Sequence, residues 1–171
     1  YALEDSINQM QPDVILIPTG HYLGEYHGWG SDISEEEHLT NLLRGFAESG
    51  GRIIQLGPND YLVNDVYPSN SFCCSYSLDS DDINYDENHP LLNGIGSTFE
   101  IEEGFTYFNN SIHSVMNVSN YFGWNYDESH LILEENIGSG NVIIIGSTFY
   151  GWTDDEARIL ANAVQHSGSN F

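Results

Sequence analysis

Two short stretches of the chain are apolar at every position. Residues 14–17 and 142–145 contain only Val, Ile and Leu. A strand covered on one face alternates apolar and polar residues, whereas an unbroken apolar run is typical of a strand covered on both faces, as in a parallel sheet. Both runs therefore predict buried strands of a parallel sheet.

Helical spacing of apolar residues appears in three segments, at residues 3–10, 39–47 and 157–164. The first stops before Pro12, which cannot continue a helix. The sequences Ser-Glu-Glu-Glu at 34–37 and Thr-Asp-Asp-Glu at 153–156 are capping boxes, which begin helices by pairing a hydroxyl with a backbone amide. The sequence thus predicts three amphipathic helices.

The order of these elements indicates the fold class. A strand, a capped helix ending at Gly50-Gly51, and a second strand at 52–56 form a βαβ unit, which implies a parallel pair with a right-handed crossover. We predict an α/β fold with three layers and a mainly parallel sheet, with an irregular or antiparallel insertion around residues 61–130. Residues 1–171 are expected to form one domain, in which 61–93 is a loop-rich insertion.

Charge excludes one class of partner. The chain carries 26 Asp and Glu against three Arg and no Lys, for a formal net charge of −23. Binding of nucleic acid requires cations that neutralise phosphates, so we expect no nucleic-acid partner. We also expect no membrane insertion, because no run reaches the roughly 20 apolar residues that a spanning helix needs. An acidic surface instead suits solubility in a salty or extracellular setting, divalent cations, or a basic partner.

Other features concern the compartment. Asn109 and Asn117 begin N-glycosylation sequons, which are relevant to an exported protein. Cys73 and Cys74 are adjacent, so a disulfide between them would close a strained ring, and two reduced thiols or an intermolecular bridge remain open. We expect an extracellular or cell-surface location.

Three segments carry a likeness to a known family: Asp-Val-Ile-Leu-Ile-Pro-Thr-Gly at 13–20, Phe-Ala-Glu-Ser-Gly-Gly-Arg-Ile-Ile at 46–54, and Gly-Asn-Val-Ile-Ile-Ile-Gly-Ser at 140–147. Residues 160–163 and His89-Pro90-Leu91 add to it. In this order they resemble the class I glutamine-amidotransferase-like superfamily, over about half of the chain. The resemblance implies a flavodoxin-like sheet.

The same resemblance indicates that catalysis has been lost. Catalytic members carry a Gly-x-Cys-x-Gly elbow after the strand that corresponds to residues 52–56, but this chain has Gln-Leu-Gly-Pro-Asn at 55–59, with Gly57 in place of the nucleophile. A His-x-Glu pair near the last helix is also missing, since Ser167 and Gly168 follow His166. The chain therefore resembles a non-catalytic member, and we expect no enzyme activity.

A binding rim is expected at the carboxyl ends of the parallel strands, where ligands of open α/β sheets bind. Its candidate residues are His21, Tyr22, His27, Trp29, Asn59, Asp60, Tyr150 and Trp152. Aromatic faces beside amides and carboxylates suit a protein partner, and also a carbohydrate. The alternative is that these aromatics close the core over the sheet.

The acidic tract at residues 79–87 is a candidate calcium site. Oxygen ligands at alternate positions suit Ca²⁺, although Glu87 stands where an EF-hand loop needs Gly. The candidate ligands are Asp79, Asp81, Asp82, Asn84 and Asp86. The alternative is a solvated acidic loop, with no cofactor bound.

These observations lead to one main functional hypothesis and two alternatives. The main one is a non-enzymatic binding or assembly module that binds a protein partner or associates with itself. One alternative is a hydrolase, with His21, Glu25 and His27 around Zn²⁺ or with Cys73 beside His89. The other is a structural subunit of a calcium-stabilised extracellular assembly.

Overall fold

The computed structural model of the chain describes residues 2–18, 33–56, 71–78, 83–85, 88–96, 101–108, 113–118, 129–146 and 153–166. Three α-helices lie within these ranges: α1 (Ala2–Met10), α2 (Ile33–Glu48) and α3 (Asp154–Gln165). They match the three helices predicted from apolar spacing. A short 3-10 helix spans Pro90–Leu92. None of the helices in the described part of the chain is long and apolar enough to cross a bilayer.

The predicted capping box before the last helix is present. The Thr153 hydroxyl accepts a hydrogen bond from the Glu156 amide at 3.1 Å, and the Glu156 carboxylate accepts one from the Thr153 amide at 2.9 Å. The second helix begins at Ile33, one residue before Ser34, so the predicted capping residue falls within the first turn.

Eight described strands form one sheet. They are β1 (Val14–Ile17), β2 (Arg52–Leu56), β3 (Ser71–Leu78), β4 (Ile83–Tyr85), β5 (Ile101–Phe108), β6 (His113–Val118), β7 (Ser129–Ile137) and β8 (Gly140–Ile145). The main path runs β1-β2-β8-β7-β5-β3, while β6 pairs with both β7 and β4.

The fold is α/β, as predicted. The three strands β1, β2 and β8 are parallel, with β2 between the two apolar runs that the sequence singles out. The other pairings are antiparallel. Strands β3 to β6 fall within the antiparallel insertion predicted around residues 61–130, and β7 joins them to the parallel part.

Helices cover both faces of the sheet. On one face, Leu43 and Ala47 of α2 pack with Ile53 and Ile144. On the other face, Ile159 and Ala163 of α3 pack with Ile54 and Ile143 of the sheet. Leu91 and Leu92 of the 3-10 helix belong to the same apolar cluster. Successive strand residues point to opposite faces, so an unbroken apolar run supplies both layers at once.

A tight hairpin joins β7 to β8 against the end of α2. Gly138 has a φ of +62°, which suits the first central residue of a two-residue turn, and the Ser139 amide donates to the Glu48 carbonyl at 3.1 Å. At Gly140 an added Cβ would overlap the carbonyl oxygens of Gly51 and Ala47. The hairpin therefore satisfies a helix-terminal carbonyl while its backbone lies directly on α2.

Candidate functional site

The predicted binding rim lies outside the described residues. That holds for His21, Tyr22, His27 and Trp29, for Asn59 and Asp60, and for Tyr150 and Trp152. The candidate zinc ligands His21, Glu25 and His27 also lie there, as does the strand-end turn at Gly57. The described carboxyl ends of β1, β2 and β8 nevertheless lie side by side, as the prediction of one rim requires.

Most of the predicted calcium and glycosylation residues are also outside the described part: Asp79, Asp81, Asp82, Asp86 and Asn109. Asn84 lies in β4, in register with Asn117 of β6. Asn117 also pairs with His130 of β7. The second sequon therefore begins inside a strand that has a neighbour on each side.

The most chemically distinctive group in the described chain is a buried carboxylate. Glu134 in β7 has no solvent exposure, and it lies opposite Ile143 of β8 on the face covered by α3. A charged carboxylate in such a place needs hydrogen-bond donors, because burial removes its water. Two histidines and an asparagine supply them.

His89 contacts one oxygen of this carboxylate. Its Nε2 lies 3.2 Å from Glu134 Oε2, and its Nδ1 accepts a hydrogen bond from the Leu91 amide at 3.3 Å. Since Nδ1 is the acceptor, Nε2 carries the hydrogen and donates to Glu134. His89 therefore acts as a neutral donor whose ring is oriented by the 3-10 helix.

His166 and Asn141 share the other oxygen. His166 Nε2 lies 2.9 Å from Glu134 Oε1, and Asn141 Nδ2 donates to the same atom at 2.8 Å. The imidazole rings of His89 and His166 are 5.8 Å apart and tilted by 56°. The carboxylate thus holds together β7, β8, the 3-10 helix and the end of α3.

Arg52 extends this network to the helix terminus. Its Nε donates to Asn141 Oδ1 at 3.0 Å, and one terminal nitrogen donates to the carbonyls of Ala163 and Val164 at 3.3 and 2.8 Å. A cation at these carbonyls complements the negative end of the helix dipole. We call Arg52, His89, Glu134, Asn141 and His166 the Glu134 network.

Electrostatics favour the ionised form of Glu134. Burial by itself raises the pKa of this carboxyl, but the hydrogen bonds from His89, Asn141 and His166 and the attraction of His166 outweigh it, lowering the pKa from 4.5 to about 2. Burial lowers the pKa of Arg52, against the attraction of Glu134 and Asp13. In contrast, burial raises the pKa of Glu135, the next residue of β7.

The Glu134 network is not arranged as a metal site. No group of His, Cys, Asp and Glu in the described ranges is placed to hold a metal ion. At His89 the reason is the tautomer: with Nδ1 accepting from the Leu91 amide, Nε2 carries a hydrogen and has no lone pair to donate to a metal. Both histidines instead contact the carboxylate of Glu134 directly.

The position of the network differs from that of the predicted rim. Arg52 and Asn141 are paired in register at the first position of β2 and the second position of β8, near the amino ends of the parallel strands. Ligands of open α/β sheets bind at the opposite, carboxyl ends. The Glu134 network therefore lies near the amino ends of the parallel strands, where a ligand site is not expected.

Sequence reasoning missed Glu134 and His166 as partners. In the sequence, His89-Pro90-Leu91 is only an element of the resemblance, and His166 is notable only because no Glu follows it. The one available signal is Glu134 itself, a charged residue that directly follows three apolar residues. Its partners come from residues 7, 32 and 45 positions away, so no local pattern joins them.

The structure also places the two residues of the thiol alternative. Cys73 lies in β3, at the opposite end of the main path from β1, and β5 separates β3 from β7. His89 lies beside β7, where its Nε2 contacts Glu134. The histidine proposed as the partner of Cys73 is therefore hydrogen-bonded to a carboxylate.

Solved structures show where this fold recurs. The mmIFT52 N-terminal domain is similar over 95% of this chain and 78% of its own, with a TM-score of 0.63 and 13% identity. A cytoplasmic protein of Salmonella typhimurium is similar over 95% and 73%, with a TM-score of 0.55 and 16% identity. A cold-adapted β-galactosidase of Rahnella sp. R3 has a TM-score of 0.55 and 12% identity.

The β-galactosidase match is one of part to whole. It covers 90% of this chain but 22% of the enzyme, so the chain spans about a fifth of the length of that relative. No family model and no curated protein matches the sequence. At these identities the likeness concerns the fold alone.

Proposed function

We propose that this chain is a non-enzymatic binding or assembly module of an extracellular or cell-surface protein, a relative of the glutamine-amidotransferase-like domains that has lost its nucleophile. The observation that carries the proposal is the Glu134 network. Its carboxylate has no solvent exposure, and its members Arg52 and Asn141 lie near the amino ends of β2 and β8. The network holds α3 against the sheet. Binding of a partner is then a role for the surface of the chain.

The geometry of the network is poorly suited to catalysis. A general acid or base must come within hydrogen-bond reach of the substrate. The side chains of His89 and His166 are 3% and 5% exposed, and both are hydrogen-bonded to Glu134. Each oxygen of the carboxylate already accepts from at least one donor, so a substrate would have to displace a buried contact worth several kcal/mol, on the order of 3.

Composition and fold support recognition as the remaining role. A formal charge of −23 with only three Arg favours a basic protein partner. The predicted rim adds aromatic, amide and carboxylate groups, which suit a protein surface or a carbohydrate. The match to the β-galactosidase covers about a fifth of that enzyme. This supports the proposal that the fold serves as one module of a longer protein.

Turnover assays on the purified chain test the proposal. The wild type, Glu134→Gln and His166→Gln are incubated with chromogenic amides, esters and glycosides, and their folding is followed by circular dichroism. We expect no turnover by any of the three, with the variants differing from the wild type only in stability. Turnover by the wild type that a folded Glu134→Gln variant lacks would overturn the proposal.

A further inference from the structure

Strand β1 has an unusual edge. Within the described ranges it pairs only with β2, and it ends the main path of the sheet. Its four residues are all apolar, and Leu16 is 46% exposed. Edge strands are commonly protected by a charge, a bulge or a proline, but here Asp13 and Pro18 only flank the strand. The backbone groups on its outer side can pair with another strand.

The two faces of β1 differ in their cover. Ile15 and Ile17 belong with the apolar cluster under α2. Val14 packs toward the cluster under α3, and alternation places Leu16 on that same face. Leu16 therefore presents an apolar side chain at the outer edge of β1, where an added strand would contact it.

Acidic residues lie in the segments that lead into this strand. Asp13 immediately precedes β1, and α1 carries Glu4 and Asp5 in its first turn with no basic residue in its last. Helix α1 lies beside α2, since His38 Nε2 is 3.2 Å from Glu4 Oε2, and Ile7 and Phe46 line one shallow pocket of about 340 Å³. Helix α1 and Asp13 therefore add negative charge to the segment that precedes β1.

Charge decides which occupant fits the edge. A second copy of the chain brings another 23 negative charges, which opposes self-pairing. A segment with Lys or Arg at its ends gains from the same field, and apolar side chains at alternate positions allow it to pack on Leu16. Extended peptides that add a strand to a sheet edge are a known mode of recognition.

We propose that the outer edge of β1, which no strand of the described ranges pairs with, docks an extended, basic segment of a partner protein, which adds a strand to the sheet and packs an apolar side chain on Leu16. This inference rests on the proposed function and names the kind of partner that such a module binds. Main-chain hydrogen bonds hold the segment, and its basic ends select it. Because β1 is only four residues long, the contact is moderate in strength and sensitive to salt.

The test uses the full chain and a synthetic peptide in which Val and Thr alternate between pairs of Lys. Fluorescence anisotropy measures binding, and hydrogen exchange measures protection of the β1 amides. The matched peptide replaces each Lys by Glu, and a second one places Pro at its central position. We expect the basic peptide alone to bind, to protect β1, and to bind at least roughly tenfold more weakly when salt rises from about 50 to about 200 mM.

Two variants localise the contact. Leu16→Lys adds a positive charge and removes the apolar contact, and we expect it to weaken binding by roughly tenfold or more. Val164→Lys makes the same charge change on α3, where Val164 is 45% exposed, and should leave binding close to the wild-type value. Thermal unfolding verifies that both variants fold.

Several results would overturn the docking site. Equal weakening by the two variants, equal binding of the acidic peptide, or binding without protection of β1 would each do so. A dimer in sedimentation that Leu16→Lys dissociates would show that a second copy occupies the edge. None of these results involves turnover, so the docking site can be disproved while the non-enzymatic function stands. Conversely, turnover that is lost in Glu134→Gln would overturn the non-enzymatic function without testing the docking site.

Discussion

The Nε2 atom of His166 lies 2.9 Å from Oε1 of Glu134, which joins the residue after helix α3 to the middle of strand β7. The two residues are 32 positions apart in sequence. His89 holds the other oxygen of the same carboxylate, so one side chain fixes two segments onto the sheet. Folding of the last helix and of the segment around the 3-10 helix is thereby coupled to a single buried charge.

Glu134→Gln is expected to destabilise the protein by roughly 2–4 kcal/mol, because removing one partner of a buried charged network leaves the others unsatisfied. The Gln side chain keeps the shape but replaces one acceptor oxygen with a donor amide, which then faces His89, His166 or Asn141. Urea unfolding followed by circular dichroism measures the change.

The matched control for this variant is Glu135→Gln. Glu135 is adjacent in β7 and half-buried on the opposite face, and burial raises the pKa of its carboxyl. Its neutralisation at pH 7 should therefore leave stability unchanged or slightly raised. A loss at Glu135 as large as the loss at Glu134 would mean that the network is not what stabilises the fold.

Stability should depend on pH through Glu134. Its pKa is about 2 in the folded chain and about 4.5 when unfolded, so its contribution is fully present above pH 4.5 and is lost as pH falls toward 2. A difference of that size corresponds to a stabilisation on the order of 3 kcal/mol. We expect the stability gap between wild type and Glu134→Gln to close over this range.

Urea midpoints measured at intervals from pH 7 to pH 2 follow this gap directly. Other carboxylates protonate over the same range, but they do so in both proteins, so the difference isolates Glu134. A gap that stays constant down to pH 2 would contradict the lowered pKa of Glu134.

Much of the fold follows from local patterns. The run at residues 142–145 is apolar throughout because α2 and α3 cover opposite faces of β8. The prediction of a buried strand is wrong for most of residues 14–17, because β1 lies at the edge of the sheet, where only Ile17 is buried and Leu16 is exposed. The capping box at Thr153 defines the start of α3 without reference to the rest of the chain. The β7–β8 pair is joined by a local hairpin, but the other partners of β7 come from distant segments, so its pairing with β5 and β6 could not be read from residues 129–137.

The candidate site was less predictable for a physical reason. The sequence predicts a binding site at the carboxyl ends of the strands, and it indicates that Gly57 stands in place of a nucleophile. The network lies at the amino ends, and its members share no spacing, since Arg52 and Asn141 are brought together by β2 pairing with β8. A buried polar cluster of this kind depends on long-range register, which composition and periodicity do not encode.

Arg52→Lys tests the link between the network and α3. Arg52 donates both to Asn141 and to the last carbonyls of the helix, and a Lys ammonium cannot reproduce that fork. We expect a loss of about 1–2 kcal/mol in the free energy of unfolding. Arg158→Lys, on the exposed side of the same helix, is the control and should change stability little. Equal losses would remove any special role for Arg52.

The close approach of the β7–β8 hairpin to α2 predicts opposite outcomes for two Gly→Ala variants. At Gly140 an added methyl group would overlap the carbonyl oxygens of Gly51 and Ala47, which are backbone atoms and cannot rotate away. Gly140→Ala should therefore cost about 2 kcal/mol or more, through displacement of the hairpin.

Gly45 offers the contrasting site within α2. It is exposed, and a methyl group there would meet nothing within 4 Å. Because Ala loses less backbone entropy than Gly in a helix, Gly45→Ala should stabilise the protein by roughly 0.5–1 kcal/mol. Thermal and urea unfolding of both variants give the comparison. A Gly140→Ala variant as stable as the wild type would show that the hairpin does not rest on α2, and with it the seating of β8 beside β2 would have to be reconsidered.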